Sequence, residues 1–320
     1  MAASVGGRVK IAVESHQQRP TVSPGRLPDP HEPVPPIDWA VLGLFLAATL
    51  IFAGASALAV AGSIPFWVAV PVNAVAIYMF FTVLHDASHR SASTSPAVNS
   101  WLGRISVPML IPFASYSVFR YVHMQHHRFT NHDDGSDPDH YASAGPAWQL
   151  PLRWATIDLV SYLPVYLGTL GSRPRKELVE YALTLLASAA VAVVCISTGN
   201  GVAWLLLYLL PGRLALIYLA WAFDWLPHHK LESKPSEDRF RTTRNRVGGE
   251  WLWSPIMLYQ NYHLVHHLHP LIPFHRYVRA WRRNEEQYLS QDPPLTTIAG
   301  RELSAEEYRE RRGLDRPERR

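Results

Sequence analysis

The chain has 320 residues, is 48% hydrophobic and carries a formal net charge of +4. Its basic excess is scattered, with no stripe of basic residues interleaved with aromatics, which argues against a nucleic-acid partner. One cysteine, Cys195, excludes an internal disulfide and a thiolate metal site, so any metal would take nitrogen or oxygen ligands.

Residues 1–38 are polar, with seven prolines between Pro20 and Pro36, and lack the order of a signal peptide; they read as a disordered cytoplasmic arm. Apolar runs follow from Trp39 to Ala61 and from Ile64 to Leu84, separated by Gly62-Ser63. Each is long enough to cross a bilayer core of roughly 30 Å, so the two predict a helical hairpin. A second hairpin is predicted from Leu178–Thr198, the turn Gly199-Asn200-Gly201, and Val202–Leu226. The expectation is therefore an all-α integral membrane protein with about four transmembrane helices in two hairpins, a membrane domain over 39–290 and a charged cytoplasmic tail over 291–320.

Neither tight turn contains Lys or Arg, whereas the arm, the 85–177 segment and the chain after 227 hold nearly all of them. By the positive-inside rule both termini and the middle segment face the cytoplasm, as expected for a cell (inner) membrane protein. Residues 105–119, broken by Pro108 and Pro112, and residues 154–170, with Pro164, suit helices lying in the interface. Arg213 falls near the middle of the fourth run, beside Pro211-Gly212, so it is either functional or a sign that the span is misplaced.

Sixteen histidines are spread unevenly. HDASH places His85 and His89 four apart, about 40° apart on one helical face, so both imidazoles can reach one metal. HMQHH places His123, His126 and His127 within an arc of about 100°, and HLVHH repeats that spacing with His263, His266 and His267. Eight imidazoles exceed the roughly three or four protein ligands of a zinc site, so two metals are implied. Neutral imidazole suits iron, zinc and copper, and ligand type alone does not name the metal. In the four-span topology the boxes converge on the cytoplasmic side as a histidine-rich cap. A haem held between spans, or a transporter with ligands along a path across the bilayer, would place histidines inside the spans instead.

The order HDASH, HMQHHRFTN with DPDH (137–140), FDWLPHH (223–229) and QNYHLVHHLHPLIPFHRY (260–277) resembles the membrane fatty-acid desaturase superfamily. Within it the chain is most similar to the cyanobacterial-type β-carotene hydroxylases, over about residues 70–280. The resemblance implies a non-haem centre of two irons at the cytosolic face, O2 as co-substrate, and two electrons from a separate donor such as a ferredoxin and its reductase. It implies a lipid substrate, first a carotenoid ring to be hydroxylated and second a fatty-acyl chain to be desaturated. In the superfamily a further ligand outside the boxes commonly completes the metal shells. His228 is the expected supplier here, since Pro227 breaks the end of the fourth span and turns the next side chain from its axis.

Ligating histidines usually donate their other ring nitrogen to a carboxylate or carbonyl. Asp86, Asp137, Asp139 and Asp224 are candidates for that role, and Asn131, Gln260 and Asn261 lie beside the boxes, where they could bond a ligand or a metal-bound water. His132, His140, His269 and His275 are expected near the site without being ligands, and His16 and His31 to play no part. Trp67, Tyr78, Phe80, Phe81, Tyr218 and Trp221 would line a lipid tunnel or simply pack. Two readings of other classes compete: a membrane zinc hydrolase, which would leave five box histidines unused, and a metal carrier, which would not explain the helical spacing.

Overall fold

The computed structural model describes residues 26–314. The first part of the expected arm, residues 1–25 with His16, and residues 315–320 lie outside that range. Four helices are long and apolar enough to cross a membrane: α1 (Trp39–Val60), α2 (Phe66–His89), α6 (Arg175–Ser197) and α7 (Gly201–His228). They form the two expected hairpins, with ends displaced by a few residues from the apolar runs.

Asp38 starts α1 by accepting the backbone N–H groups of Ala40 and Val41 at 3.1 Å each, which satisfies donors that have no partner within the helix. α2 is the central element, and every residue from Phe80 to His89 is buried. α3 (Pro96–Leu110) packs against it and α4 (Tyr116–Phe129) follows after a break at Ile111–Ser115. Residues 105–119 thus form two partly buried helix ends, with Pro112 in the break between them. Tyr116 joins three helices: its hydroxyl donates to the Ala87 carbonyl of α2 at 2.7 Å, and its ring lies over Gly103 of α3. A Cβ at Gly103 would come within 2.2 Å of that ring, so only glycine allows the approach.

Three prolines inside helices leave the same mark, whereas Pro71 of α2 and Pro108 of α3 sit in regular α-helix. Helix α5 runs from Leu150–Ile157 through a π-helical turn, Asp158–Tyr162, into Leu163–Leu167. α7 contains π-helical turns at Leu205–Leu209 and Ala220–Trp225. A proline cannot donate to the carbonyl four residues earlier, and its ring collides with that carbonyl. For Pro164, Pro211 and Pro227 that carbonyl belongs to Val160, Leu207 and Phe223, and each of these lies inside one of the widened turns. The helices therefore continue past their prolines, and Pro227 does not break α7 before His228.

Arg213 is neither free nor misplaced. Its Nη1 donates to Asp158 Oδ1 at 2.7 Å and to the Ala155 carbonyl at 2.8 Å, and the Asp158 side chain is 0% exposed. The π-helical turn of α5 presents this carboxylate to α7.

Beyond α7 the chain forms a cap. It includes α8 (His263–Leu268), α9 (Tyr277–Arg283), α10 (Ala305–Arg312) and a small sheet in which β1 (Asn245–Val247) pairs parallel with β2 (Leu295–Thr297), and β2 antiparallel with β3 (Glu302–Leu303). The charged stretch expected as a tail is folded as far as residue 314: Tyr308 of α10 accepts the Trp281 indole N–H at 2.9 Å and donates to Glu285. Residues 26–38 likewise depart from the disordered expectation. They run as extended chain, with Glu32 buried against Arg276, Arg279 and Arg283, and Asp38 against His275 and Arg276. Burial pushes the Glu32 carboxyl up, but the three guanidiniums outweigh it and hold the group below its ordinary value.

Arg213→Leu should strand a buried carboxylate and cost about 3–5 kcal/mol. Adding Asp158→Leu should recover most of that loss, read as thermal unfolding of the detergent-solubilised protein. Equal stability of the single variant and the wild type would refute a structural role for the pair.

Candidate metal centre

Each histidine box rides on a short helical segment whose neighbours fix its direction. His85 and His89 end α2, His123, His126 and His127 lie on α4, and His263, His266 and His267 make up half of α8. α8 is held by β1, because Asn245 Oδ1 accepts the Leu264 N–H at 3.0 Å. His228 ends α7, directly after a π-helical turn and Pro227.

The nine candidate histidines separate into two groups whose donor atoms lie within 4.8 Å of one another. One is His85, His89, His123, His127 and His266, and the other His126, His228, His263 and His267. In the first group Nε2 atoms face each other at 2.8 Å (His89 and His123), 2.9 Å (His127 and His266) and 3.0 Å (His85 and His266). In the second the spacings are 3.1 Å (His263 and His267) and 3.3 Å (His126 and His267). The His228 ring lies 4.9 Å from that of His126, and its Nε2 is buried without a hydrogen-bond partner.

Outer partners decide which nitrogen faces inward. His126 Nδ1 donates to Asp137 Oδ1 at 2.9 Å and lies 3.3 Å from Asp139. His266 Nδ1 bonds Tyr277 Oη at 3.0 Å, and His228 Nδ1 donates to the Thr242 carbonyl at 3.3 Å. The inward nitrogens then crowd together in a buried space, an arrangement that a cation relieves and that hydrogen bonding among the rings cannot fully satisfy. His266 Nε2 shows this most clearly: it faces two other Nε2 atoms and could donate to only one. These groups fit bound metal.

The electrostatics agree. Burial holds His123, His127, His263, His266 and His267 well below the ordinary imidazole value, in the neutral form that coordinates metal. At His126 burial acts the same way, but Asp139 and Asp137 outweigh it and raise the group to about 10, so this edge of the site attracts positive charge. Burial also pushes Asp139 up to about 6, with Asp137 adding to the rise and His126 opposing it.

Of the outer candidates, Asp137 and Asp139 reach His126 directly. Asp86 Oδ1 is 3.5 Å from His85 Nδ1, while its Oδ2 accepts the Phe274 N–H at 3.0 Å. Asn131 touches no histidine but joins two of their partners: its N–H donates to Asp137 Oδ2 and its Nδ2 to the Thr242 carbonyl. Asp224 is 3.4 Å from Tyr162 Oη at the edge of the site. Asn261 turns away to donate to the Arg246 carbonyl on β1 at 3.0 Å. Sequence reasoning missed Tyr277 and the Thr242 carbonyl. His229 stacks on Trp225, His269 bonds Tyr288, His275 bonds Asp38, and His132 and His140 stay outside both groups.

A narrow, largely enclosed cavity adjoins His123, His126 and His263, with Phe81, Phe119, Leu216, Leu219 and Phe223 among its walls. Trp67 and Trp221 are exposed on the outer surface and do not line it.

Comparison with known proteins matches residues 61–299 to the family described as Fatty acid desaturase. The chain is 28% identical over 204 residues to a beta-carotene ketolase of Paracoccus sp., covering 61% of this chain and 71% of that protein. It is 25% identical over 243 residues to an sn-1 oleoyl-lipid 12-desaturase of Arthrospira platensis, covering 65% and 66%. An sn-1 acyl-lipid omega-3 desaturase (ferredoxin) of Synechocystis sp. is 31% identical over 107 residues, 32% of this chain and 28% of that protein.

His228→Ala should lower the metal retained by purified protein much as His126→Ala does, while His229→Ala should leave it near the wild-type level, as read by elemental analysis. Asp137→Asn should weaken metal affinity by roughly 10- to 100-fold. Full metal retention in His228→Ala would remove that residue from the second group.

Proposed function

The chain belongs to the fatty acid desaturase family, and on that footing we propose that it is a di-iron oxygenase that hydroxylates a ring carbon of a carotenoid. Its class is that of an oxygen-dependent membrane oxidoreductase, which sets aside the zinc hydrolase and the metal carrier. The observation that carries the reading is the division of nine imidazoles into groups of five and four beside one apolar cavity. In this assignment each group holds one iron. Bound there, the irons would supply the two-electron reduction of O2 and the removal of hydrogen from an unactivated C–H bond.

The protein's part is positioning. Phe81, Phe119 and Phe223 would hold the substrate carbon against the histidine groups and keep water out. Asp137 and Tyr277 keep His126 and His266 in the orientation that turns Nε2 inward. A ring substrate is supported by the Paracoccus relative, which is a ketolase of beta-carotene. Two hydroxylations at one carbon followed by loss of water give a ketone, so alcohol and ketone are products of the same chemistry carried to different extents.

A second reading, desaturation of a fatty-acyl chain, is favoured by the narrowness of the cavity and by the oleoyl-lipid desaturase relative. The held geometry would decide between the two, since loss of a neighbouring hydrogen gives an alkene in place of an alcohol. Electrons would come from a separate ferredoxin-type donor, as the name of the Synechocystis relative supports. We place the protein in the cell (inner) membrane with both termini and the histidine cap cytoplasmic, because the turns closing the two hairpins contain no Lys or Arg.

Expression in a β-carotene-producing host should give more polar pigments by chromatography. Unchanged carotenes together with new double bonds in the fatty acids would decide for the second reading. Reporter fusions after residue 200 and at residue 314 should report opposite sides of the membrane, and a common side would overturn the orientation.

A further inference from the structure

A cavity of about 780 Å³ opens between α3 and α6, away from the histidine groups and lined by none of them. On α6 its wall is Val179, Leu183, Ala187 and Val191, four residues apart along one helical face, and opposite stand Val107 and Met109 of α3. No residue of α6 is fully buried, and Val179, Leu183 and Val191 on this face are 48%, 61% and 51% exposed. The hydroxyls facing the cavity are already committed: Thr184 donates to the Glu180 carbonyl and Ser188 to the Pro112 carbonyl.

At the end nearer the cap this cavity adjoins a second, of about 320 Å³, which shares Arg104, Tyr116, Lys176 and Glu180 with it and is lined by charge. Five cations, Arg90, Arg104, Arg120, Arg173 and Lys176, meet two carboxylates there. Glu180 is taken by Arg104 at 3.0 Å and by the Ser117 N–H at 3.2 Å, and Glu177 by Arg173 at 2.6 Å. Arg90, Arg120 and Lys176 have no carboxylate partner among the described residues.

An apolar crevice at membrane depth that ends in uncompensated cations matches an amphiphile with a negative head. We propose that this is a binding site for an anionic phospholipid, its phosphate between Arg90, Arg120 and Lys176 and one acyl chain along α6. The site stands apart from the substrate cavity and requires only that the chain spans a membrane. The lipid would also brace the cap. Arg120 lies three residues before His123 and its Nε donates to the Ser88 carbonyl at 3.0 Å, while Arg90 directly follows His89. One phosphate would therefore clamp the ends of α2 and α4 that carry the first two histidine boxes.

The test is native mass spectrometry of the full chain, delipidated in neutral detergent and supplied with phosphatidylglycerol or phosphatidylcholine. Phosphatidylglycerol should bind one to one and phosphatidylcholine at least about fivefold more weakly, as should phosphatidylglycerol with Lys176→Gln. Ala187→Trp fills the groove from an exposed position on α6 without touching a charge, and it should abolish the one-to-one complex. Val191→Phe is the second groove variant should the first unfold. Equal binding of the two lipids, or wild-type binding by a folded groove variant, would overturn the proposal. No turnover is measured, so the outcome is independent of which lipid the enzyme oxidises.

Discussion

Crowded nitrogen lone pairs are the constraint around which this molecule is arranged. His266 Nε2 stands 3.0 Å from His85 Nε2 and 2.9 Å from His127 Nε2 in a buried space. At most one of these two contacts can use the His266 Nε2 proton, so the surrounding protein holds the rings in a crowded arrangement that positive charge completes. The burial of α2 from Phe80 to His89, the Asn245 bond to α8, and the carboxylates around His126 all serve that end. A site of this kind is electrostatically strained by itself and settled by what it binds, which is the usual coupling of metal binding to folding.

Much of the cap is legible in the sequence because its chemistry is written in helical spacing. His123, His126 and His127 share a face as long as the backbone is helical, and the same holds for the third box. The transmembrane hairpins are legible for the same reason, since length and apolarity are local properties. What the sequence does not display is pairing across distance. Tyr277 meets His266 from another helix, and the Thr242 acceptor is a backbone carbonyl that has no residue signature at all. Adjacency misleads as well: Asn261 is two residues from His263, yet the short 3-10 turn it sits in turns its amide toward β1.

Charge and proline content mark a segment as polar without saying whether it is loose. Glu32 lies in a proline-rich stretch with every local mark of disorder, and its three arginine partners are more than 240 residues away. The tail is similar, since Ser304 and Glu307 close a capping box that starts α10 and brings Tyr308 against Trp281. In both places long-range contacts convert a polar segment into part of the cap, leaving the histidine groups enclosed from the membrane side by α2 and α7 and from the other by folded chain.

The widened turn at Ala220–Trp225 amounts to one residue more than an α-helix would use over the same path. Each residue added or removed rotates the remainder of a helix by about 100°. Loss of a single residue there would let a regular helix cover the same path and leave His228 facing the second group, whereas loss of a residue from the regular winding of α7 would leave every histidine in the sequence yet swing His228 out of it. The register of α7 up to His228 is thus a coding element of the site, as exacting as the identity of its ligands. The solvent-side turn at Gly199-Asn200 is under no such demand. Among proteins built on this plan, single-residue insertions and deletions should be tolerated where the hairpins turn and, within α7, only where a widened turn absorbs them.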